Sequence, residues 1–176
     1  MDRNVSILKD IRQQKKEIRE QYRAIRKSID SSYASYASES LIDTFNHNLS
    51  YIKGEIIAAY ISIDGEINVI PLMDNLFNLG YKVAVPSKNK LLTFEEWKKA
   101  GKSIVPDTVI APVIAFDNHC NRLGFGGGWY DQMIKNLRPL VIGVAYEKQY
   151  CKDLSIEEHD QKVDIIITEI CVRYRS

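Results

Sequence analysis

The chain has 176 residues, of which 45% are hydrophobic and 27% charged, as in a folded domain rather than a disordered, collagen-like or disulfide-scaffold chain. With 24 Lys and Arg against 23 Asp and Glu, its formal net charge is +1, which favours neither nucleic acid nor an anionic membrane as a partner. No apolar run is long enough to span a bilayer, and the N-terminal segment lacks the apolar stretch of a secretory signal. Together with three cysteines, an odd number, these features predict a reduced, cytoplasmic protein.

The N-terminal part of the chain predicts two helices. Residues 5–28 form one long helix by pattern, because their apolar residues fall on a single stripe. These are Leu8, Ile11, Ile18, Tyr22, Ile25 and Ile29. The remaining positions are mostly charged, and residues 1–30 carry nine Lys and Arg against five Asp and Glu. Ser31 and Ser32 then offer an N-cap for a second helix that continues to Leu49.

From Glu55 onward the apolar residues form short continuous runs, typical of strands covered on both faces. Five such runs are predicted as strands, at residues 56–61, 81–85, 108–111, 140–146 and 163–168. A helix from Ile67 to Leu79, ended by Gly80, follows the first, and another passes through Met133 and Leu137. Strands separated by helices predict an α/β fold: one three-layer domain over residues 1–176, with a mostly parallel sheet flanked by helices.

Residues 121–131 read Asn-Arg-Leu-Gly-Phe-Gly-Gly-Gly-Trp-Tyr-Asp and hold four of the nine glycines. Glycine is costly in ordered backbone, so this cluster indicates positive φ or the close approach of a ligand. A glycine-rich turn before a helix exposes N–H groups that can bind phosphate. Arg122 adds a bidentate donor, and Asp131 is a candidate magnesium ligand. A turn without any ligand is the alternative explanation.

Other known sites do not match. The glycine-rich segment lacks the Gly-Lys-Ser/Thr of a P-loop and the third glycine of the dinucleotide fingerprint. The three histidines and three cysteines have no spacing typical of a zinc site. Cys120, next to His119, is more plausible as part of a turn than as a nucleophile.

The glycine-rich segment resembles the signature of the 5-formyltetrahydrofolate cyclo-ligase family. Three further segments resemble that family in the same order along the chain: residues 15–19, 60–67 and 158–164. The chain departs from the family pattern in Trp129, where Tyr or Phe is usual, and in Gln132, where Arg is common. Residues 92–109 also look short, which affects the loop expected to frame the folate pocket.

The resemblance implies an ATP- and magnesium-dependent enzyme that converts 5-formyltetrahydrofolate to 5,10-methenyltetrahydrofolate, with release of ADP and phosphate. It implies phosphorylation of the formyl oxygen followed by ring closure, chemistry that depends on placement and charge neutralisation. The expected partners are therefore small molecules, the reduced folate and ATP, with no nucleic acid, no membrane and a monomeric state. Two alternatives stay open: a phosphosugar isomerase or CoA-transferase-like enzyme, and a non-catalytic nucleotide-binding module.

The resemblance also implies roles for individual residues. The expected ATP contacts are Lys15, Lys16, Glu17, Ile18 and Arg19, together with Arg122, Leu123, Gly124, Phe125, Gly126, Gly127, Gly128, Trp129 and Tyr130. The expected folate contacts are Ile61, Glu66, Phe125, Gly126, Gly127, Gly128 and Trp129. Arg122 and Tyr130 are the candidate catalytic residues, and Asp131 and Asp160 the candidate magnesium ligands. By pattern alone, Lys15 and Arg19 fit a solvated helix face, and Glu66 fits a carboxylate in the first turn of a helix.

Overall fold

The computed structural model describes residues 2–87, 93–99 and 103–175, and of residues 2–9 the backbone only. It contains four α-helices: α1 (Asp2–Lys27), α2 (Ser31–His47), α3 (Ile70–Asn78) and α4 (Trp129–Leu137). The long N-terminal helix is confirmed. The cap of α2 is Asp30 rather than Ser31 or Ser32, since the Asp30 carboxylate accepts a hydrogen bond from the backbone N–H of Tyr33. None of the described helices is long and apolar enough to cross a membrane.

The strands form one eight-stranded sheet and a separate two-stranded ribbon. They are β1 (Ile56–Ala59), β2 (Lys82–Pro86), β3 (Phe94–Glu96), β4 (Ser103–Ile104), β5 (Thr108–Pro112), β6 (Ala115–Phe116), β7 (Arg122–Leu123), β8 (Leu140–Val144), β9 (Ile165–Ile167) and β10 (Val172–Tyr174). The sheet order is β10-β9-β8-β5-β1-β2-β3-β4, and β6 pairs with β7.

The five predicted strands are β1, β2, β5, β8 and β9, and they run parallel to one another at the centre of the sheet. The prediction missed β3, β4 and β10, which pair antiparallel at the two edges. The first, fourth and fifth strands are also shorter than predicted. Residues 92–109 are the region that looks short relative to the family pattern. Residues 92 and 100–102 lie outside the described residues, and the others include β3, β4 and the start of β5.

Helices cover both faces of this sheet, so the mostly parallel α/β sheet flanked by helices is confirmed. On one face α2 and α3 pack Leu41 and Leu72 into a core with the strand residue Ile110. On the other face, Met133 of α4 packs with Ala58 of β1 and with neighbouring strand residues. Burial of these side chains is the main favourable contribution to the fold.

The helix α1 packs elsewhere, against the β6–β7 ribbon rather than a sheet face. Its residues Ile18 and Tyr22 pack against Ala115, Leu123 and Cys151. The Tyr22 hydroxyl donates to the backbone oxygen of Tyr150 at 2.8 Å. This packing places the charged residues of α1 beside the glycine-rich segment, which directly follows β7.

Candidate active site

A cavity of about 920 Å³ lies between α1, the glycine-rich segment and residues 157–161. Its lining comprises Arg12, Lys15, Arg19, Pro86, Pro112, Arg122, Leu123, Gly124, Phe125, Gly126, Gly127, Gly128, Trp129, Tyr130, Asp131, Gln132, Lys135, Glu157, Glu158, His159, Asp160 and Gln161. Pro86 and Pro112 are the last residues of β2 and β5. The cavity therefore lies at the carboxyl ends of parallel strands, where α/β sheets bind ligands, and its volume suits a cofactor-sized molecule.

The glycine-rich segment has a backbone that needs glycine at specific positions. Gly126 and Gly128 have φ of 98° and 66°, in the left-handed region that side chains disfavour. A Cβ on Gly124 would lie 2.8 Å from a terminal nitrogen of Arg122, whereas Gly127 has nothing within 4 Å of that position. In the described part of the chain, no hydrogen bond uses the backbone N–H of Gly126, Gly127 or Gly128. These donors stand at the start of α4, where an anion is favoured.

Arg122 lies buried beneath this loop and keeps donor capacity. One terminal nitrogen donates to Oδ1 of Asp131 at 3.1 Å, and its Cζ lies 5.4 Å from the ring centre of Tyr130. Its Nε is buried and has no hydrogen-bond partner. Burial raises the pKa of Tyr130, which therefore remains a neutral phenol at physiological pH and can donate a hydrogen bond.

The cations of α1 reach the same cavity from its other side. The Lys15 side chain is only 5% exposed, and its Nζ lies 2.7 Å from Glu157 Oε2 and 2.5 Å from Asp160 Oδ2. The Nε of Arg19 donates to the backbone oxygen of Gly124 at 2.8 Å. Lys15 and Arg19 thus line the same cavity as the glycine-rich segment, and Arg19 contacts that segment directly.

The cavity lining does not include the three residues between Lys15 and Arg19. Lys16 is exposed, and the Glu17 carboxylate accepts a hydrogen bond from Gln13 at 2.8 Å. Ile18 packs against the apolar cluster of the β6–β7 ribbon. Successive residues of a helix point in different directions, so one face carries Lys15 and Arg19 without their neighbours. Direct ATP contacts by Lys16, Glu17 and Ile18 remain predictions that the cavity geometry does not support.

The candidate magnesium ligands lie on two adjacent parts of the cavity wall. Asp131 Oδ1 accepts hydrogen bonds from Arg122 and, at 3.3 Å, from the backbone N–H of Gln161, the residue after Asp160. Sequence reasoning missed Glu157, whose carboxylate, like that of Asp160, binds Lys15. The hydrogen bond from Lys15 lowers the pKa of Glu157, against a smaller opposing effect of burial. Potential ligand atoms of Glu157, Asp160 and the His159 between them lie within 4.8 Å of one another.

The expected folate contacts divide into two groups. Phe125 and Trp129 line the cavity, whereas Ile61 and Glu66 are not part of its lining. Glu66 is not at a helix start, because α3 begins only at Ile70. Its Oε2 accepts from the backbone N–H of Ile63 at 2.9 Å, and burial raises its pKa.

Glu66 also faces a buried arginine that sequence reasoning missed. The terminal nitrogen Nη1 of Arg26 lies 3.6 Å from Glu66 Oε1. Arg26 Cζ in turn lies 5.5 Å from the ring centre of Phe125, so the pair is adjacent to a cavity-lining side chain. The available signal was spacing: Arg26 follows Lys15 by 11 residues, about three helical turns, which places both near one face of α1.

Comparisons with known proteins agree with this architecture. Residues 93–169 match the model of the 5-formyltetrahydrofolate cyclo-ligase family. The 5-formyltetrahydrofolate cyclo-ligase of Haemophilus influenzae is 28% identical over 88% of this chain and 98% of its own length. The enzyme of the same name from Escherichia coli K12 is also 28% identical, over 66% of this chain and 79% of its own.

Solved structures show the same fold. The 5,10-methenyltetrahydrofolate synthetase of Aquifex aeolicus superposes with a TM-score of 0.81 at 25% identity, covering 91% of this chain and 92% of that one. The Mycoplasma pneumoniae synthetase gives a TM-score of 0.77 at 21% identity, covering 88% and 98%. With its glycine-rich segment at the edge of the cavity and its relatives similar over most of their length, this chain is similar in sequence and in fold to the 5-formyltetrahydrofolate cyclo-ligase family.

Proposed function

We propose that this protein converts 5-formyltetrahydrofolate and ATP to 5,10-methenyltetrahydrofolate, ADP and phosphate. One observation carries the proposal: the unused N–H groups of residues 126–128 and the cations Lys15, Arg19 and Arg122 converge on one cavity. That combination suits a polyphosphate beside a second, aromatic ligand. The formal net charge of +1 gives no comparable support to a nucleic-acid or membrane partner. We infer small-molecule substrates and a single-domain monomer.

The triphosphate of ATP would lie against the start of α4. The N–H groups of Gly126 to Gly128 would bind its phosphate oxygens, and the spare donors of Arg122 would contact the phosphoryl group being transferred. Lys15 now pairs with Glu157 and Asp160, and a polyphosphate would offer it more negative charge than those two carboxylates. Nucleotide binding would therefore replace part of the interaction of Lys15 with the two carboxylates by an interaction with the phosphates.

In the reaction, the formyl oxygen attacks the γ-phosphorus, and the bond from that phosphorus to the ADP oxygen breaks. The anilino nitrogen of the folate then attacks the activated formyl carbon, loses its proton, and phosphate leaves. No protein nucleophile is needed, so the enzyme contributes placement and charge neutralisation. Arg122 would stabilise charge on the transferring phosphoryl group, and the neutral Tyr130 hydroxyl would act as a hydrogen-bond donor.

Two hard oxygen donors on the cavity wall fit magnesium. Contacts in the described chain engage Oδ1 of Asp131 and Oδ2 of Asp160, which leaves one oxygen of each carboxylate for a metal. Magnesium bound there would neutralise phosphate charge. Asp131→Asn and Asp160→Asn should each lower turnover and raise the magnesium concentration that half-saturates activity, because an amide is a weaker ligand. An unchanged magnesium requirement in both variants would contradict this assignment.

The folate would occupy the aromatic side of the cavity. Phe125 is 43% exposed and Trp129 is partly buried against Phe94, with ring centres 5.6 Å apart. Either ring can stack on a pterin. Glu66, behind Phe125, would accept N–H groups of the pterin edge, and Ile61 would add apolar contact.

The direct test is a turnover assay on the purified chain with ATP, magnesium and 5-formyltetrahydrofolate, followed by absorbance of the methenyl product and by release of ADP. We expect one ADP and one phosphate for each methenyltetrahydrofolate, and no product when any component is omitted. ATP binding without product would instead indicate a nucleotide-binding module. Light scattering under the same conditions tests the monomer.

A further inference from the structure

Arg26, in the last turn of α1, is held in place by a neighbouring loop. It is 1% exposed. Its Nε donates to the backbone oxygen of Asp64 at 2.9 Å, and one terminal nitrogen, Nη2, donates to Asp64 Oδ2 at 3.0 Å. Two of its three nitrogens therefore serve to fix the guanidinium against Asp64, in the forked arrangement that arginine favours.

The third nitrogen faces Glu66 without bonding to it. Arg26 Nη1 and Glu66 Oε1 lie 3.6 Å apart, and both atoms are buried without a hydrogen-bond partner. That distance is too long for a hydrogen bond but short enough for strong attraction between charges. Because Asp64 holds the guanidinium, Arg26 supplies its positive charge to Glu66 and leaves one carboxylate oxygen free to accept another N–H.

Glu66 is the titratable group whose charge state depends on Arg26, because the charge of Arg26 opposes the rise that burial causes in the Glu66 pKa. Charged or titratable side chains act on it from four places: Arg26 on α1, Asp64 on its own loop, Tyr60 after β1 and Tyr130 on α4. Burial raises the pKa of both tyrosines, and hydrogen bonds from Arg23 and Lys27 lower that of Asp64. The charges of Tyr60, Tyr130 and Asp64 therefore do not change between pH 6 and 8. Burial raises the pKa of Glu66 itself, and the Ile63 N–H and Arg26 oppose that rise.

We propose that Arg26 is a positioning residue for folate recognition: it keeps Glu66 ionised and correctly placed while leaving its free oxygen to accept an N–H of the pterin edge. The proposal rests on the function proposed above. Phe125 connects the pair to the cavity, because its exposed ring lines the cavity on one side and lies over Arg26. Arg26 itself need not touch the substrate.

The test compares Arg26→Gln with Arg23→Gln. Arg23 offers a matched control, since it also binds Asp64, at 2.7 Å, and lies 5.7 Å from the Phe125 ring, but forms no hydrogen bond or ion pair with Glu66 in the described chain. Calorimetric titration with 5-formyltetrahydrofolate and, separately, with ATP is made between pH 6 and 8. For Arg26→Gln we expect at least about a tenfold loss of folate affinity at pH 7, with ATP affinity within about twofold of wild type. Arg23→Gln should stay within about twofold for both ligands.

The pH dependence separates positioning from mere structural support. Without Arg26 the Glu66 pKa rises further, so the carboxyl is protonated over more of this range. Folate affinity of Arg26→Gln should then fall by about tenfold for each pH unit below that pKa and recover as the pH rises. Adding Glu66→Gln to Arg26→Gln should remove this dependence, because residue 66 no longer titrates.

Each outcome decides the proposal. A folded Arg26→Gln with the folate affinity of wild type, or with a loss that does not vary with pH, would overturn it. If circular dichroism shows that Arg26→Gln is unfolded, Arg26→Lys replaces it: retained charge should keep folate affinity within about tenfold of wild type, and a larger loss at pH 8 would overturn the proposal. Failure of the wild-type protein to bind or convert 5-formyltetrahydrofolate would instead refute the proposed function.

Discussion

The two halves of α1 both present cations to carboxylates from distant parts of the chain, but in different settings. Near its middle, Lys15 binds Glu157 and Asp160, which line the cavity. At its end, Arg26 lies between Asp64 and Glu66, out of reach of solvent. Both cations are buried, but the partners of Lys15 line the cavity, where a phosphate could take the place of a carboxylate, whereas Asp64 and Glu66 are not part of that lining. In the proposed function, one helix therefore separates a charge that can exchange its partner for the nucleotide from a permanent charge that serves folate binding.

The largest effect should come from the buried end. Glu66→Gln removes the charged acceptor of the proposed folate site and places an amide donor near the pterin N–H groups that the carboxylate would accept. Loss of one partner from a buried charged hydrogen bond costs about 2–4 kcal/mol, or about a hundredfold in folate affinity, while ATP affinity should hardly change. Paired titrations with each ligand provide the measurement. Equal folate affinity in wild type and variant would show that Glu66 does not bind folate. Weakened ATP binding with intact folate binding would assign Glu66 to the nucleotide site instead.

The next effect concerns the exchangeable end. Lys15→Met removes a cation from the phosphate site and leaves Glu157 and Asp160 uncompensated beside it, so repulsion adds to the lost contact. Charge-assisted hydrogen bonds contribute about 1.5–3 kcal/mol, which predicts about a ten- to hundredfold loss of ATP affinity with folate affinity retained.

Lys16→Met is the informative comparison for that variant. Lys16 is exposed and lies outside the cavity lining, so the geometry predicts less than about a twofold change. A loss as large as that of Lys15→Met would support the role implied by the resemblance and would require α1 to rotate or shift when ATP binds.

The centre of the fold could be predicted because its signals are local. Each of the five parallel strands contains a continuous apolar run, which burial on both faces requires. The edge strands β3, β4 and β10 have only two or three residues and carry polar or charged side chains such as Glu95 and Arg173. Nothing in so short a segment distinguishes a strand from a loop, because only its pairing with the sheet makes it a strand.

The candidate site was predictable only in part, for the same reason. The glycine-rich segment could be identified from its composition, and Lys15 and Arg19 from their spacing of four residues. Glu157 and Arg26 act through partners 142 and 38 residues away, at Lys15 and Asp64, and no local pattern encodes those contacts. The spacing of Arg26, 11 residues after Lys15, places it near the same face of α1, but the partners of that face become known only in the folded chain.

A smaller effect should follow from Gly126→Ala, which tests how the exchangeable end meets the loop. Its φ of 98° disfavours any side chain, and a Cβ would lie 3.3 Å from Cζ of Arg19. A strain of about 1–2 kcal/mol at this residue predicts roughly a tenfold loss of ATP affinity. Gly127→Ala separates strain from ligand contact, because no protein atom lies within 4 Å of its Cβ position. A loss of ATP affinity in Gly127→Ala would indicate that the nucleotide itself needs the space. Unchanged ATP affinity in Gly126→Ala would exclude the loop as a phosphate site.

The smallest effect should come from Arg12, which shares Glu157 with Lys15 but lies in solvent. Its Nε is 3.8 Å from Glu157 Oε1, and its side chain is 75% exposed against 5% for Lys15. Exposed ion pairs contribute about 0.2–1 kcal/mol and are screened by salt, so Arg12→Gln should lower ATP affinity by no more than about fivefold at low ionic strength. The effect should vanish near about 1 M salt, where the Debye length is about 3 Å, while that of Lys15→Met should persist. Titrations of both variants at two salt concentrations make the comparison. If the Arg12→Gln loss also persisted at high salt, Arg12 would have to become buried against the phosphates, and the exchangeable end of α1 would extend one turn further than the structure indicates.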